Sequence, residues 1–289
     1  MATLREIRKR ITSIKSTQQI TKAMKMVAAA RLRKAQEAII HIRPYAYNLR
    51  DLIGDLISRV GDLTGIPLIE LRPVDKVLLV IVTADRGMCG AFNSNIIRDA
   101  NRRIADSHGA ELNLFLVGKK GMDYFKKRAT PVIGQKINFF NHLGFEDALE
   151  ISRGLIDHYT SGRYDRIEII YNEFKSAVQQ EVISEPFLPF TPAADMAASK
   201  SQVDFLYEPD KKVILNKVIP LDLNIQVWRI LLESNAAEQG ARMTAMENAT
   251  DNAQDLIERL TVFYNRSRQG IITKEISEIV GGADALKAS

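Results

Sequence analysis

Apolar residues recur at alternating spacings of three and four from the first residues onward. They run through Leu4, Ile7, Ile11 and Ile14, then Gln18, Thr21 and Lys25, then Ala28, Leu32, Ala35, Ile39, Ile42, Ala46, Leu49, Ile53, Leu56 and Val60. A second stripe of the same period occupies the other end: Ile214, Val218, Leu221, Ile225, Trp228, Leu232, Asn235, Gln239, Arg242, Met246, Ala249, Ala253, Leu256, Leu260 and Phe263. A straight helix drifts off a 3.5-residue seam, so seams this long predict two helices supercoiled around each other. No glycine precedes Gly54. At about 1.5 Å per residue the first helix can reach roughly 80 to 90 Å, and the second, from Lys211 toward Ile279, roughly 100 Å. Rods of that length are expected to project from the globular part and to reach into or across a partner.

If both helices leave the middle of the chain together, near Val60 and Lys211, they run antiparallel and pair residues whose numbers total about 264 to 271. Pro44 and Pro220 then fall near one level, where a shared bend or local break is expected, because each removes a helical hydrogen bond. The polar stretch Gln18, Thr21, Lys25 faces Asn235, Gln239, Arg242. That layer sets two cations, Lys25 and Arg242, side by side, which requires a carboxylate from outside the chain.

The middle alternates between strand and helix patterns. Lys76–Thr83, Glu111–Val117 and Arg166–Tyr171 read as buried strands, with a further strand around Glu181–Leu188. Phe92–Ser107, Lys119–Lys127 and Phe145–Thr160 carry apolar residues at helical spacing. The expected fold is therefore α/β with long helices: an antiparallel two-helix coiled coil from the chain ends, plus a central three-layer α/β, Rossmann-like domain with a largely parallel sheet. In residues, 1–60 and 211–289 form the coil, 74–191 the α/β domain, and 192–210, with Pro192 and Pro209, the connector.

Composition narrows the chemistry. The longest purely apolar run, Val77 to Val82, is far short of the roughly 20 residues that cross a bilayer. The protein is expected to be soluble or at most peripheral. The single cysteine, Cys89, excludes an internal disulfide and a cysteine zinc cluster, and fits a reducing compartment. No transit peptide is visible, since the heptad pattern has begun by Leu4. His41, His108, His142 and His158 are scattered without metal-ligand or nucleophile spacing. No catalytic constellation and no cofactor motif emerges. The turn Thr83-Ala84-Asp85-Arg86-Gly87-Met88-Cys89-Gly90 could offer amides to an anion at the next helix start. Its spacing matches neither the dinucleotide fingerprint nor the P-loop, and Gly118-Lys119-Lys120-Gly121 lacks the P-loop's lead glycine and hydroxyl. Tight-turn packing accounts better for both.

Positive charge gathers at the N-terminus: Arg5, Arg8, Lys9, Arg10, Lys15, Lys22, Lys25, Arg31, Arg33 and Lys34 face one acid, Glu6. A basic helix suits nucleic acid, an anionic membrane surface or an acidic protein surface. Met24, Met26, Val27 and Ala28-Ala29-Ala30 are interleaved among the cations. Small and sulfur side chains on several faces favour protein contact.

The run Ile20-Thr21-Lys22-Ala23-Met24-Lys25-Met26-Val27-Ala28-Ala29, the triplet Arg43-Pro44-Tyr45 and the turn Asp85-Arg86-Gly87-Met88-Cys89-Gly90 resemble the gamma subunits of F-type ATP synthases. Tyr207-Glu208-Pro209-Asp210, Ala241-Arg242-Met243-Thr244-Ala245-Met246, Ala249-Thr250-Asp251-Asn252-Ala253 and the run from Ile272 to Ala283 are similar to that family's segments in the same order. The resemblance implies a non-catalytic central rotor shaft. It would couple proton flow through the membrane sector to ATP synthesis at the beta subunits, on the cytoplasmic face of the bacterial cell membrane. The implied partners are alpha, beta, epsilon, the c-ring and delta, with no nucleic acid and membrane contact only through the complex. It further implies contact of Met24, Lys25, Arg242, Gln269 and Thr273 with beta, which would supply the carboxylate between Lys25 and Arg242, and contact of Tyr207 and Glu208 with the c-ring. Chloroplast-type relatives carry a two-cysteine regulatory insertion; Cys89 stands alone here, so thiol regulation is not expected. Lys25 stands where some members have an acid. A nucleic-acid-binding coiled-coil protein and an α/β enzyme with helical arms are the alternative readings; neither explains two complementary heptad stripes.

Overall fold

Thr3 and Glu6 open the first helix reciprocally. The Thr3 amide donates to Glu6 Oε2 at 2.8 Å and the Glu6 amide to Thr3 Oγ1 at 3.3 Å, satisfying two of the helix's orphan donors. From there α1 runs Leu4–Ser58. The central elements follow as β1 (Lys76–Val82), α2 (Phe92–Asp106), β2 (Glu111–Val117), α3 (Lys119–Phe125), β3 (Val132–Lys136), a 3₁₀ turn (Phe140–His142), α4 (Phe145–Thr160), β4 (Arg166–Phe174) and β5 (Gln180–Leu188). The last helix, α5, spans Lys211–Lys287. The computed structural model describes residues 3–60, 65–107, 109–191 and 210–287, with side chains to residue 281. Most of the expected connector, with Tyr207 and Glu208, and His108 lie outside the described residues.

The chain forms two compact units, Met1–Val27 with Met243–Ser289, and Ala28–Arg242. In the second, five strands lie in the order β3-β2-β1-β4-β5, all parallel except β5 against β4. Pleating splits the strand residues between two faces. Leu78, Val80, Val82, Ile167, Ile169 and Tyr171 join one core with Ile53 and Leu56 of α1, Ile151 and Leu155 of α4, and Leu215, Ile219, Leu223 and Ile230 of α5. The opposite parity, Leu79, Ile81, Leu114 and Leu116, is equally buried on the side of α2 and α3. This is the expected three-layer arrangement. The short edge strand β3, which carries Gly134, has too little alternation to be read from sequence. Pro186 is tolerated in β5, an edge strand whose pairing shifts register near that residue.

At the carboxyl ends of β1 and β2 the chains nearly touch. Gly118 has φ +90°, and a Cβ there would sit 2.0 Å from the Thr83 carbonyl oxygen, so no other residue fits without displacing backbone. Thr83 Oγ1 in turn accepts from the Gly121 amide at 2.8 Å.

In α1 the burial follows the predicted stripe: Ile7, Thr21, Ala28, Leu32, Ala35, Ile39, Ala46, Ile53 and Leu56 are all buried. In α5 it does so only in part. Within Ala28–Arg242 the stripe residues Ile225, Leu232, Gln239 and Arg242 are buried, but so are Leu215, Ile219, Asp222, Leu223, Gln226, Val227, Ile230 and Leu231 off the stripe, whereas Leu221 is 42% exposed. This stretch packs against the sheet core as well as α1, so it is buried on several faces and one heptad seam describes only part of it. Both helices continue through their prolines without the expected break. Pro44 lies on an exposed side of α1, where water can take up the freed carbonyl.

Asp222 is fully buried. Its Oδ1 accepts from Gln226 Nε2 at 3.2 Å, while Oδ2 has no hydrogen-bond partner among the described residues. Burial pushes its carboxyl above the usual range, against the opposing pull of the Gln226 amide and the Arg50 and Arg229 charges. A raised folded-state value means that this group's contribution is full below the unfolded carboxyl's pKa and is lost as pH rises through the folded value. Asp222→Asn keeps the shape without the titration. It is expected to melt above the wild type at pH 8 and to converge with it below about pH 4, in circular-dichroism melts of the purified chain. A variant less stable at pH 8 would mean that the two arginines hold an ionised Asp222.

Candidate partner-contact sites

In the unit built from the chain ends, the two helices meet through a polar ladder. Gln18 Nε2 donates to Gln254 Oε1 at 2.9 Å, the Thr21 and Thr250 hydroxyls lie 2.7 Å apart, and Lys25 Nζ donates to Glu247 Oε1 at 2.5 Å. Falling numbers on α5 against rising numbers on α1 make the pair antiparallel, as expected. The register lies at the edge of the expected range: Thr21 with Thr250 is at its upper limit, and the other two pairs are one residue beyond. The apolar seam of α5 here is Met246, Ala253 and Ile257, while the predicted Leu256 is 40% exposed.

That offset corrects the expected cation pair. Lys25 meets a carboxylate of its own chain, Glu247, and Arg242 meets another, Glu238, at 2.7 Å. Neither charge needs a carboxylate from outside. The reason is one of register: advancing the pairing past Met246 brings an acid, not a cation, opposite Lys25.

Farther along α5 the picture changes. Every residue from 268 to 281 is exposed, including Ile271, Ile272, Ile276, Ile279 and Val280. Gln269, Thr273, Ile276 and Val280 follow spacings of four, three and four and so share one side of the helix. The two polar residues singled out from sequence thus lie on a partly apolar face that the described residues leave uncovered. Met24 is half-buried. The cations Arg5, Arg8, Lys9, Arg10, Lys15 and Lys22 are exposed, giving the first turns of α1 a basic surface.

In the unit Ala28–Arg242 the chemistry gathers at the carboxyl ends of the strands. The Asp85 carboxylate accepts from three main-chain amides: Lys119 at 3.0 Å, Asn138 at 2.8 Å and Phe140 at 3.2 Å. It pins the loops after β1, β2 and β3 together. The Lys119 amide at the start of α3 carries this internal carboxylate, which supports the packing account of the Gly118–Gly121 stretch over anion binding. Arg242 is 8% exposed and donates to the Gly87 carbonyl at 3.2 Å. Glu238, buried beside it, has its carboxyl pushed up by burial, opposed by Arg242. A second buried carboxylate, Glu233, takes Arg43 at 2.7 Å and the Phe174 amide at 3.1 Å, while Arg43 also donates to the Phe174 carbonyl. Asp85 stands in a motif legible in the sequence, without its loop-pinning role; Glu233 and Glu238 are not legible there as site residues. The spacing of Glu238 and Arg242, one helical turn, was the legible sign of their pairing. Among the described residues no acid, histidine or cysteine group is arranged to hold a metal, and no helix is long and apolar enough to cross a membrane.

The family profile described as ATP synthase matches residues 3–286. The ATP synthase gamma chain of Chloroherpeton thalassium is 51% identical over 304 residues, covering the whole of both chains. That of Chlorobaculum tepidum is 46% identical over 293 residues, covering 99% of this chain and 100% of the relative. Among solved structures, a chain of the central stalk and c-ring of the Tetrahymena thermophila mitochondrial ATP synthase is 27% identical with a TM-score of 0.62, covering 80% of this chain and 99% of that one. A chain of the Euglena gracilis mitochondrial ATP synthase shares the fold with a TM-score of 0.69 at 22% identity, over 99% of this chain and 95% of that one.

The Lys25–Glu247 pair is directly testable. Both side chains are about two-fifths exposed, so the pair is expected to contribute at most about 1 kcal/mol. Lys25→Glu sets like charges together and should lower the melting temperature of the purified chain by a few degrees. Adding Glu247→Lys should restore most of the loss. A double variant no more stable than the single one would exclude this register.

Proposed function

The chain belongs to the ATP synthase gamma-chain family and is the central rotor shaft of that complex, and we propose that it works there as a moving, non-catalytic contact. The observation that carries this reading is the uncovered face of α5 with Gln269, Thr273, Ile276 and Val280. A run of exposed isoleucine and valine along one stretch of a regular helix suits a surface that another protein covers. In the proposed arrangement the beta subunits cover that face in turn, and the exposed cations of α1 meet acidic loops on their inner surfaces. A shaft that presents different side chains to each beta subunit shifts each site's conformational equilibrium by its differential contact energy. Proton flow through the membrane sector turns the shaft, and the catalytic sites cycle in response.

The assembly includes alpha, beta and the c-ring, and we extend it to epsilon and delta. Met24, Lys25, Gln269 and Thr273 are proposed as beta contacts, and Tyr207 and Glu208 as the contact with the c-ring's polar loops. The chain would sit peripherally at the cytoplasmic face of the bacterial membrane, held there only through the complex.

A separation of phenotypes tests the assignment. Replacing Gln269 and Thr273 together by Ala is expected to lower both ATP hydrolysis and ATP synthesis by about three- to tenfold, as interface truncations do. Glu208→Lys should leave hydrolysis by the detached soluble sector unchanged while impairing proton-driven synthesis in membranes. If both variants behave alike in the detached sector, Glu208 does not belong to the membrane-side contact.

A further inference from the structure

The turn between β1 and α2 is held at its two feet by different means. On one side the Asp85 carboxylate binds three main-chain amides. On the other, Asn93 reaches back from α2: its Oδ1 accepts the Ala84 amide at 2.9 Å and its Nδ2 donates to Cys89 Sγ at 3.1 Å. Between them the crown is conformationally awkward, with Met88 at φ 61° and Gly90 at φ 56°. A non-glycine residue in that region needs its surroundings to keep it there. The crown also sorts its side chains sharply: Met88 is 64% exposed and the next residue, Cys89, only 1%.

What meets the crown from below is Arg242. Its guanidinium donates to the Gly87 carbonyl at 3.2 Å and pairs with Glu238 at 2.7 Å, and the arginine and glutamate side chains are only 10% and 6% exposed. A buried guanidinium is stable only while its partners remain in place. Opening the turn would strip Arg242 of an acceptor and expose Cys89. We infer that Arg242 is a positioning residue, a latch from α5 that holds the Arg86–Gly90 turn closed and so fixes how Arg86 and Met88 are presented to a protein partner, rather than being that contact itself. An exposed methionine beside an exposed arginine suits a partner surface of mixed apolar and acidic character. The identity of that partner rests on the rotor reading; the latch does not.

The chain's single cysteine reports on the latch. Cys89 lies under the turn, and burial raises its thiol pKa, so in the wild type it should react slowly with iodoacetamide at pH 8. The experiment follows alkylation of Cys89 by mass spectrometry in the purified full-length chain, with circular-dichroism melts alongside. Arg242→Gln is expected to alkylate at least tenfold faster than the wild type. Arg242→Lys, which keeps the charge but replaces the planar guanidinium, whose Nη2 meets both acceptors, by a shorter ammonium of different geometry, should fall between, at about threefold. If Arg242→Gln does not fold, Arg242→Lys decides alone by the same threefold threshold. Alkylation within twofold of the wild type in every variant that folds overturns the latch. So does acceleration no greater than the same variant's global unfolding equilibrium, taken from its melt, accounts for, because that reports global unfolding. In the assembled complex, a variant that loses ATP synthesis while Cys89 stays as protected as in the wild type would return Arg242 to the role of direct contact. Failure of the chain to join the complex would defeat the rotor reading and leave the alkylation result standing.

Discussion

Within the unit Ala28–Arg242, α5 carries five ionisable side chains into a region almost free of water: Asp222, Arg229, Glu233, Glu238 and Arg242. Each charge taken out of water costs several kcal/mol unless it is met, and the surrounding elements are arranged to meet them. Arg229 reaches Glu185 of β5 at 2.8 Å and the Tyr171 hydroxyl of β4 at 3.1 Å. Glu233 takes Arg43 of α1 and the end of β4. Arg242, with Glu238, takes the turn after β1. Sheet, first helix and turn are thereby tied to one helix at fixed positions along its length. Asp222, with one oxygen unpartnered, is the incomplete member of the series.

The same helix answers to different constraints in the other unit. There it meets α1, through an apolar seam interrupted by hydroxyl, amide and charged pairs. Such a ladder gives less free energy than an apolar seam and specifies register instead. Beyond it the helix exposes Ile271, Ile272, Ile276, Ile279 and Val280 to solvent within ten residues. Internal fixing of one stretch and external exposure of another are the two properties that a shaft requires. One stretch must not slip against its own domain, and the other must remain free to be touched.

Gly240 illustrates how closely the first property is built. A Cβ there would lie 3.0 Å from the Ala177 carbonyl oxygen, so α5 approaches the β4–β5 turn to a distance only glycine allows without displacement. In sequence, glycine inside a helix reads as a cost of about 1 kcal/mol relative to alanine. The structure supplies the reason that the cost is borne.

Periodicity alone determined much of this protein. No residue of the predicted α1 stripe is exposed, because the three-four spacing keeps those residues on one side of the helix. The strands with continuous β-branched runs and the helices between them were equally legible, because each buries a face whose period shows in the chain. Motifs from Ile20 to Ala283 carried the family. The α5 seam was not legible beyond its outline: packed against both the sheet core and α1, that helix is apolar on several faces, and no single period describes it. Nor could the sequence place a carboxylate beside Lys25 or a carbonyl beside Arg242. Those partners lie more than a hundred residues away in the chain, and the position on α5 that faces Lys25, Glu247 rather than Arg242, decides whether a cation meets its counterion or its like. Only the tertiary structure fixes that register, because the seam of Met246, Ala253 and Ile257 and the pairs Gln18–Gln254, Thr21–Thr250 and Lys25–Glu247 must all be met at once.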